Sequence, residues 1–124
     1  MSHDELSIDL KSENRGENLV FRLRGSLDLA TSPTVRAALS DATEKGTKHI
    51  IVDLTQLEFL DSTGLGALIG AHRRAAEHGG SLRLIVSEGP IARLLNITGL
   101  IRVLAVYHTL EDALKDRARV DATA

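Results

Sequence analysis

The hexapeptide Asp61-Ser62-Thr63-Gly64-Leu65-Gly66 combines the residue types in this sequence that are best suited to a chemical switch. It follows the run Ile50 to Leu54, which is nearly continuous apolar and β-branched and therefore typical of a strand covered on both faces. Apolar positions recur behind it at helical spacing, at Leu65, Leu68, Ile69, His72 and Ala76. Unpaired N–H groups and the positive end of the helix dipole meet where such a helix begins, so Ser62 is predicted to lie where a phosphate is tolerated.

Two interpretations of Ser62 are open at this point. Serine is a preferred N-cap residue, and a cap that satisfies one orphan N–H group stabilises a helix by about 1 kcal/mol. The same hydroxyl, exposed at a helix start, is also accessible to a modifying enzyme. The local sequence favours the cap, and the rest of the chain has to decide between the two.

Other kinds of site lack the spacing that they need. The glycines between Gly64 and Gly70 do not match a dinucleotide-binding turn, and they lack the ending of a phosphate-binding loop. Ser62 is not part of a nucleophile elbow, and the five histidines show no metal-ligand spacing. Asp53 lacks the lysine near the end of a later strand that a phosphorylated receiver domain would supply. We therefore expect no catalytic group, no cofactor and no metal site.

Three aspartates are predicted to surround Ser62. Asp28 ends the second strand region, while Asp53 and Asp61 lie at or beyond the third, so neighbouring strands would bring them to one edge of the sheet. A phosphate adds a charge of about −1.5 to −2. Phosphorylation of Ser62 inside this acidic frame is therefore predicted to repel an acidic partner surface or to block its close approach.

The overall composition is that of a small globular protein. At 124 residues the chain fits one domain, for which about 100–200 residues is usual, and we expect a core from about 6 to 117 with flexible ends at 1–4 and 120–124. The absence of cysteine excludes thiol catalysis and disulfides. The polar N-terminus and the lack of a long apolar run predict a soluble, cytoplasmic protein that does not enter a membrane.

Nucleic-acid binding is not expected either. The formal net charge is −2, and the basic residues are spread along the chain instead of forming one patch. Phe21, Phe59 and Tyr107 are the only aromatic residues, which are too few for a base-stacking platform.

The apolar periodicity predicts alternating strands and helices after an opening hairpin. The hairpin joins the alternating segments 6–10 and 19–23, with Arg22 and Arg24 facing solvent. The further strands are predicted at 50–54, 82–86 and 100–106, and the helices at about 32–45, 62–78, 90–96 and 110–117. The resulting order β-β-α-β-α-β-α-β-α predicts an α/β domain with a mixed, mostly parallel sheet and about four packed helices.

Four segments together are similar to one known family: 25–31, 52–54, 59–66 and 97–100. On these motifs the chain resembles the bacterial anti-sigma-factor antagonists of the STAS-domain family, over roughly Leu6 to Arg117. The sequence Asp-Ser-Ser/Thr-Gly-Leu-Gly is the specific part of the match. Ser26 departs from the family pattern, because many members carry glutamate there.

The resemblance implies a partner-switching cycle. The unphosphorylated protein would bind an anti-sigma factor that is also a serine kinase, and so free the sigma factor. Phosphorylation of Ser62 by that kinase would switch binding off, and a PP2C-type serine phosphatase would reset it. The resemblance implies partner contacts at Asp28, Asp53, Asp61, Ser62, Thr63, Gly64 and Leu65, with Thr63 open as a minor acceptor.

On this reading the protein is a kinase substrate and competitor, not an enzyme. An alternative from another class is a STAS sensor or scaffold module, or an accessory subunit of a lipid transporter, that is not linked to a sigma factor. Ser62 and its acidic neighbour favour the kinase-linked branch.

Overall fold

Alternating strands and helices build an α/β layer structure in residues 7–116, which are the residues that the computed structural model describes. In chain order the elements are β1 (Ile8–Arg15), β2 (Asn18–Leu27), α1 (Ser32–Glu44), β3 (His49–Leu60), α2 (Ser62–Glu77), β4 (Ser81–Ile85), α3 (Pro90–Ile97), a 3₁₀ turn (Leu100–Arg102), β5 (Ala105–Tyr107) and α4 (Leu110–Lys115). The five strands lie in the order β1-β2-β3-β4-β5. Only the β1–β2 pair is antiparallel, so the predicted mixed, mostly parallel sheet with its opening hairpin is confirmed.

The two faces of the sheet bury different residues, because side chains alternate along each strand. Phe21, Val52 and Leu84 belong to the larger core, together with the apolar faces of α1, α2 and α3. Val20, Ile51 and Ile85 point to the other face, where the buried Ala113 of α4 packs on them. The helices α1 and α2 therefore lie side by side on one face of the sheet.

The strands β2 and β3 extend past the end of β4. The strand β3 pairs with β4 only over His49 to Asp53, but it remains paired with β2 as far as Leu60 opposite Leu27. The prediction of a strand at 50–54 found the buried centre and missed this extension. Two irregularities in the β2–β3 register interrupt the alternation there, which hides the strand from a simple period-two pattern.

The strand predicted at 100–106 is wrong over residues 100–104. Gly99 adopts the left-handed conformation, with φ 79°, and a 3₁₀ turn follows it directly. Ile101 and Val103 are exposed, so the apolar run is not a buried strand in that part. Pairing with β4 begins only at Ala105.

The inner face of α2 also differs in part from the prediction. Leu65 and Leu68 are buried as expected, but Ala71 and Ala75 continue the buried stripe. The predicted members Ile69, His72 and Ala76 are half-buried or exposed. Small alanines on this face suit a helix that packs closely on the sheet beside α1.

Some predictions fall outside the described residues, namely those on Leu6, Arg117 and the chain ends at 1–4 and 120–124. In residues 7–116 the longest helix has 16 residues, and no helix there is both long and apolar enough to cross a lipid bilayer.

Candidate functional site

The ends of β2 and β3 lie side by side, so the short turns that follow these two strands lie next to each other. Leu27 is paired with Leu60, and the Asp61 amide donates a hydrogen bond to the Leu27 carbonyl oxygen at 3.2 Å. Asp28 directly follows Leu27, and Asp61 directly follows Leu60. The predicted proximity of these two aspartates is therefore confirmed.

The first turn closes on itself through Asp28 and Thr31. The Asp28 carboxylate accepts from the amides of Ala30 and Thr31 at 3.0 and 3.1 Å. The Thr31 hydroxyl donates to the Ser26 carbonyl at 2.7 Å and accepts from the Asp28 amide at 2.9 Å. The carboxylate of Asp28 is thus committed to its own turn, and Thr31 is buried.

The second turn decides which residue caps α2. Asp61 has an extended backbone, and its carboxylate accepts from the Gly64 amide at 2.9 Å, which is the geometry of an N-cap. The first helical hydrogen bond runs from the Leu65 amide to the Asp61 carbonyl at 2.9 Å. The cap is therefore Asp61, and the interpretation of Ser62 as the capping residue is wrong.

Ser62 is the first residue of α2, and it is exposed. Within residues 7–116 its hydroxyl has no hydrogen-bond partner, and the backbone amides of Ser62 and Thr63 have no acceptor there. Thr63 is half-buried. The helix start thus presents a free hydroxyl beside two backbone donors, an arrangement that suits an added anion.

Gly64 and Leu65 support Ser62 from below. Both are buried, and a Cβ atom on Gly64 would lie 2.7 Å from the Leu27 carbonyl oxygen and 2.7 Å from the Leu60 Cδ1. The first turn of α2 can rest on the two strand ends only because residue 64 has no side chain. Direct contact of Gly64 or Leu65 with a partner stays a prediction.

Asp53 does not join this site, and its predicted place in the acidic frame is wrong. It is paired with Arg22 in the middle of β3 and points to the sheet face opposite α2, because its neighbours Val52 and Leu54 face the larger core. It stands eight positions before Asp61, or about 26 Å of extended strand. Its carboxylate accepts from the Thr55 amide at 2.9 Å.

Asp53 belongs to a network of charged groups on that face of the sheet. The Arg22 Nε lies 3.9 Å from an Asp53 oxygen, and the Arg22 guanidinium also donates to Glu13. That hydrogen bond from Arg22 holds the pKa of the Glu13 carboxyl below its usual value. Arg22, expected to face solvent, is thus half-buried in a network across three strands.

Two exposed apolar side chains in the segments that form the two turns were not singled out from the sequence. Leu29, in the first turn, is 74% exposed, and Phe59, three residues before Ser62, is 52% exposed. Their signal was present in the sequence, because apolar residues in a turn and at a strand end replace the polar residues usual there. Leu29 adds an apolar component to a site that the sequence described only by charge, whereas Phe59 precedes the core-facing Leu60 and points to the sheet face opposite α2.

A nearby arginine was missed as well. Arg36 of α1 is exposed, and its Nη2 lies 3.7 Å from the position that a Cβ on Gly66 would occupy. No sequence pattern pairs residues that are thirty positions apart on two helices. Across residues 7–116, no three His, Asp or Glu side chains are grouped so that they could hold a metal ion.

Comparison with known proteins gives the same picture. A family model described as the STAS domain matches residues 9–113. The anti-sigma F factor antagonist of Paenibacillus polymyxa is 30% identical over 112 residues, which cover 90% of this chain and 96% of the relative. The structure of an anti-sigma factor antagonist from Mycobacterium paratuberculosis has a TM-score of 0.81 at 26% identity, and covers 92% of this chain and 96% of its own.

The Bacillus cell fate determinant SpoIIAA is similar in both of its states. Its phosphorylated form has a TM-score of 0.64 at 30% identity, with 90% of this chain and 100% of that chain covered. Its unphosphorylated form has a TM-score of 0.66 at 29% identity, with 90% and 98% covered. The resemblance to anti-sigma-factor antagonists that the segment from Asp61 to Gly66 indicated is thereby confirmed. By sequence and by fold, this chain belongs to the STAS-domain family.

Proposed function

We propose that this protein is an anti-sigma factor antagonist that releases its anti-sigma factor when Ser62 is phosphorylated. The observation that carries the proposal is that two different residues fill the two roles at the start of α2. Asp61 caps the helix, while the adjacent Ser62 hydroxyl is exposed and has no partner among the described residues. A serine that is not needed as a cap is free to be modified.

The surroundings of Ser62 suit a phosphate. The amides of Ser62 and Thr63 and the positive end of the α2 dipole stabilise an anion at this position. SpoIIAA, which shares this fold, has been solved in a phosphorylated form. These features support Ser62 as the acceptor and leave Thr63, which is half-buried, as the less accessible hydroxyl.

The surface around Ser62 would serve as the partner-binding face. Leu29 offers an exposed apolar anchor in the first turn, and Asp28 and Asp61 provide fixed negative charge at the two strand ends. A phosphate adds a charge of about −1.5 to −2 in the middle of this face. Burying that charge against a partner requires the phosphate to be desolvated, so binding weakens.

The protein would then act as a substrate and a competitor in the cytoplasm, without catalysing a reaction itself. Its partners would be an anti-sigma factor with serine-kinase activity and a PP2C-type phosphatase that removes the phosphate.

The direct test uses the anti-sigma factor kinase of the same organism with ATP, followed by tandem mass spectrometry. We expect one phosphate on Ser62, none on Ser62→Ala, and an unchanged level on Thr63→Ala. Modification placed on Thr63 or on another residue would refute the assignment. If the unmodified protein captures no anti-sigma factor at all, the STAS sensor or transporter-subunit alternative replaces it.

A further inference from the structure

We propose that Arg36 of α1 is the intramolecular counter-ion of a phosphate on Ser62. The proposal rests on the proposed function, because it concerns the modified state of the same serine. It assigns a role to a residue on a different helix, 26 positions earlier in the chain.

The two helices place Arg36 and Ser62 on neighbouring levels. Both α1 and α2 connect parallel strands of the sheet, so they run in the same direction side by side. Arg36 and Gly66 are each the fifth residue of their helix. Gly66 in turn lies one helical turn below Ser62 on the same side of α2.

The distances are short enough for a contact. The Arg36 Nη2 lies 3.7 Å from the Cβ position of Gly66, and Cβ positions four residues apart on a helix are about 5–6 Å apart. Side chains on a helix lean toward its N-terminus, so a long arginine side chain on α1 can move toward the level of Ser62. The missing side chain of Gly66 leaves this path open.

Arg36 is also available for a new partner. It is exposed, and within residues 7–116 its guanidinium forms no hydrogen bond or ion pair. Arg22, by contrast, already binds Glu13 and Asp53. A planar guanidinium matches two phosphate oxygens at once, which makes arginine well suited to hold a phosphate.

The charged groups around the phosphate differ in sign and in whether they already form hydrogen bonds. The carboxylates of Asp61 and Asp28 lie near it and accept backbone N–H groups of their own turns. They repel the phosphate dianion, whereas Arg36 and the first-turn amides of α2 attract it. Arg36 is thus the cation that favours the dianion over the monoanion near neutral pH.

The test installs phosphoserine at position 62 during translation, so that it does not depend on any kinase. The phosphate pKa is then measured by a pH titration followed by phosphorus-31 NMR. We expect Arg36→Gln to raise this pKa by about 0.5 and Arg36→Lys to raise it by less. Arg73→Gln is the matched control, because Arg73 is exposed on α2 about 16 Å along the helix from Ser62, and it should leave the pKa unchanged.

The outcomes separate this inference from the proposed function. Equal pKa values in the wild type and Arg36→Gln, with circular dichroism showing both folded, would overturn the role of Arg36. A kinase that fails to phosphorylate Ser62 would instead refute the proposed function, without changing the titration of the installed phosphoserine.

Discussion

The turns that follow β2 and β3 are built from the same residue types but differ in what they leave exposed. Each begins with an aspartate directly after a paired leucine, and each carries a hydroxyl residue at the start of the following helix. In the first turn the Thr31 hydroxyl both donates and accepts a hydrogen bond and is buried. In the second turn the Ser62 hydroxyl does neither among the described residues and is exposed.

The difference comes from the position of the hydroxyl relative to its aspartate. Thr31 stands three residues after Asp28, so its side chain can fold back onto the Asp28 amide and the Ser26 carbonyl. Ser62 follows Asp61 immediately, and Asp61 already satisfies the amide of Gly64. Two turns that both begin with an aspartate after a paired leucine therefore differ in outcome: the hydroxyl of Thr31 is used inside its turn, and that of Ser62 stays exposed.

The largest effect is expected where the first turn of α2 rests on the ends of β2 and β3. Gly64→Ala should destabilise the protein by about 3 kcal/mol, because the new Cβ would be forced against the Leu27 carbonyl oxygen and the Leu60 side chain. Urea denaturation measures this loss. Gly66→Ala is the control, since the atom nearest to its new Cβ, the Arg36 Nη2, would lie 3.7 Å away. We expect it to be neutral or stabilising by up to about 1 kcal/mol. Equal behaviour of the two variants would contradict the role of Gly64.

The first turn should depend on its hydroxyl for stability more than the second. Thr31→Val keeps the shape but leaves the Ser26 carbonyl and the Asp28 amide without their partner, at a cost of about 2 kcal/mol. Ser62→Ala should change stability by less than about 0.5 kcal/mol, as for other exposed positions. The same urea titrations compare the two. A loss on Ser62→Ala as large as that on Thr31→Val would show that Ser62 is a structural residue after all.

The second turn should control partner binding through charge. Ser62→Asp should weaken binding to the anti-sigma factor at least tenfold, or about 1.4 kcal/mol, because it places a carboxylate in the centre of the proposed contact face. The Asn side chain of Ser62→Asn has nearly the same size as Asp but no charge. This variant should bind the anti-sigma factor within about twofold of the wild type. Isothermal titration calorimetry gives both dissociation constants. If Asn and Asp weaken binding alike, size and not charge operates the switch.

The smallest expected effect is that of the phosphate on the fold itself. An anion at a helix start is stabilising by about 0.3–1 kcal/mol, and the nearby carboxylates offset part of that gain. The phosphorylated protein should therefore melt within a few degrees of the unmodified form and keep its circular dichroism spectrum. A large drop in melting temperature, or amide shift changes far from Ser62, would replace this local account with a conformational one.

Local patterns in the sequence were enough for the element order, for the hairpin and for the start of α2. The apolar runs and the cap residues act over a few positions, so they can be recognised without the fold. The motif from Asp61 to Gly66 places the candidate acceptor in the same way. It could not decide between Asp61 and Ser62 as the cap, since both are good capping residues and only the backbone geometry separates them.

Tertiary structure decided everything that depends on distant neighbours. The strand β3 continues to Leu60 because β2 pairs with it that far, and Asp53 is thereby placed in mid-strand on the opposite face. The apolar run after Gly99 turns before it joins the sheet. The approach of Arg36 to the first turns of α2 follows from how two helices pack on one sheet face. Such contacts join residues far apart in the chain, and no local periodicity of the sequence encodes them.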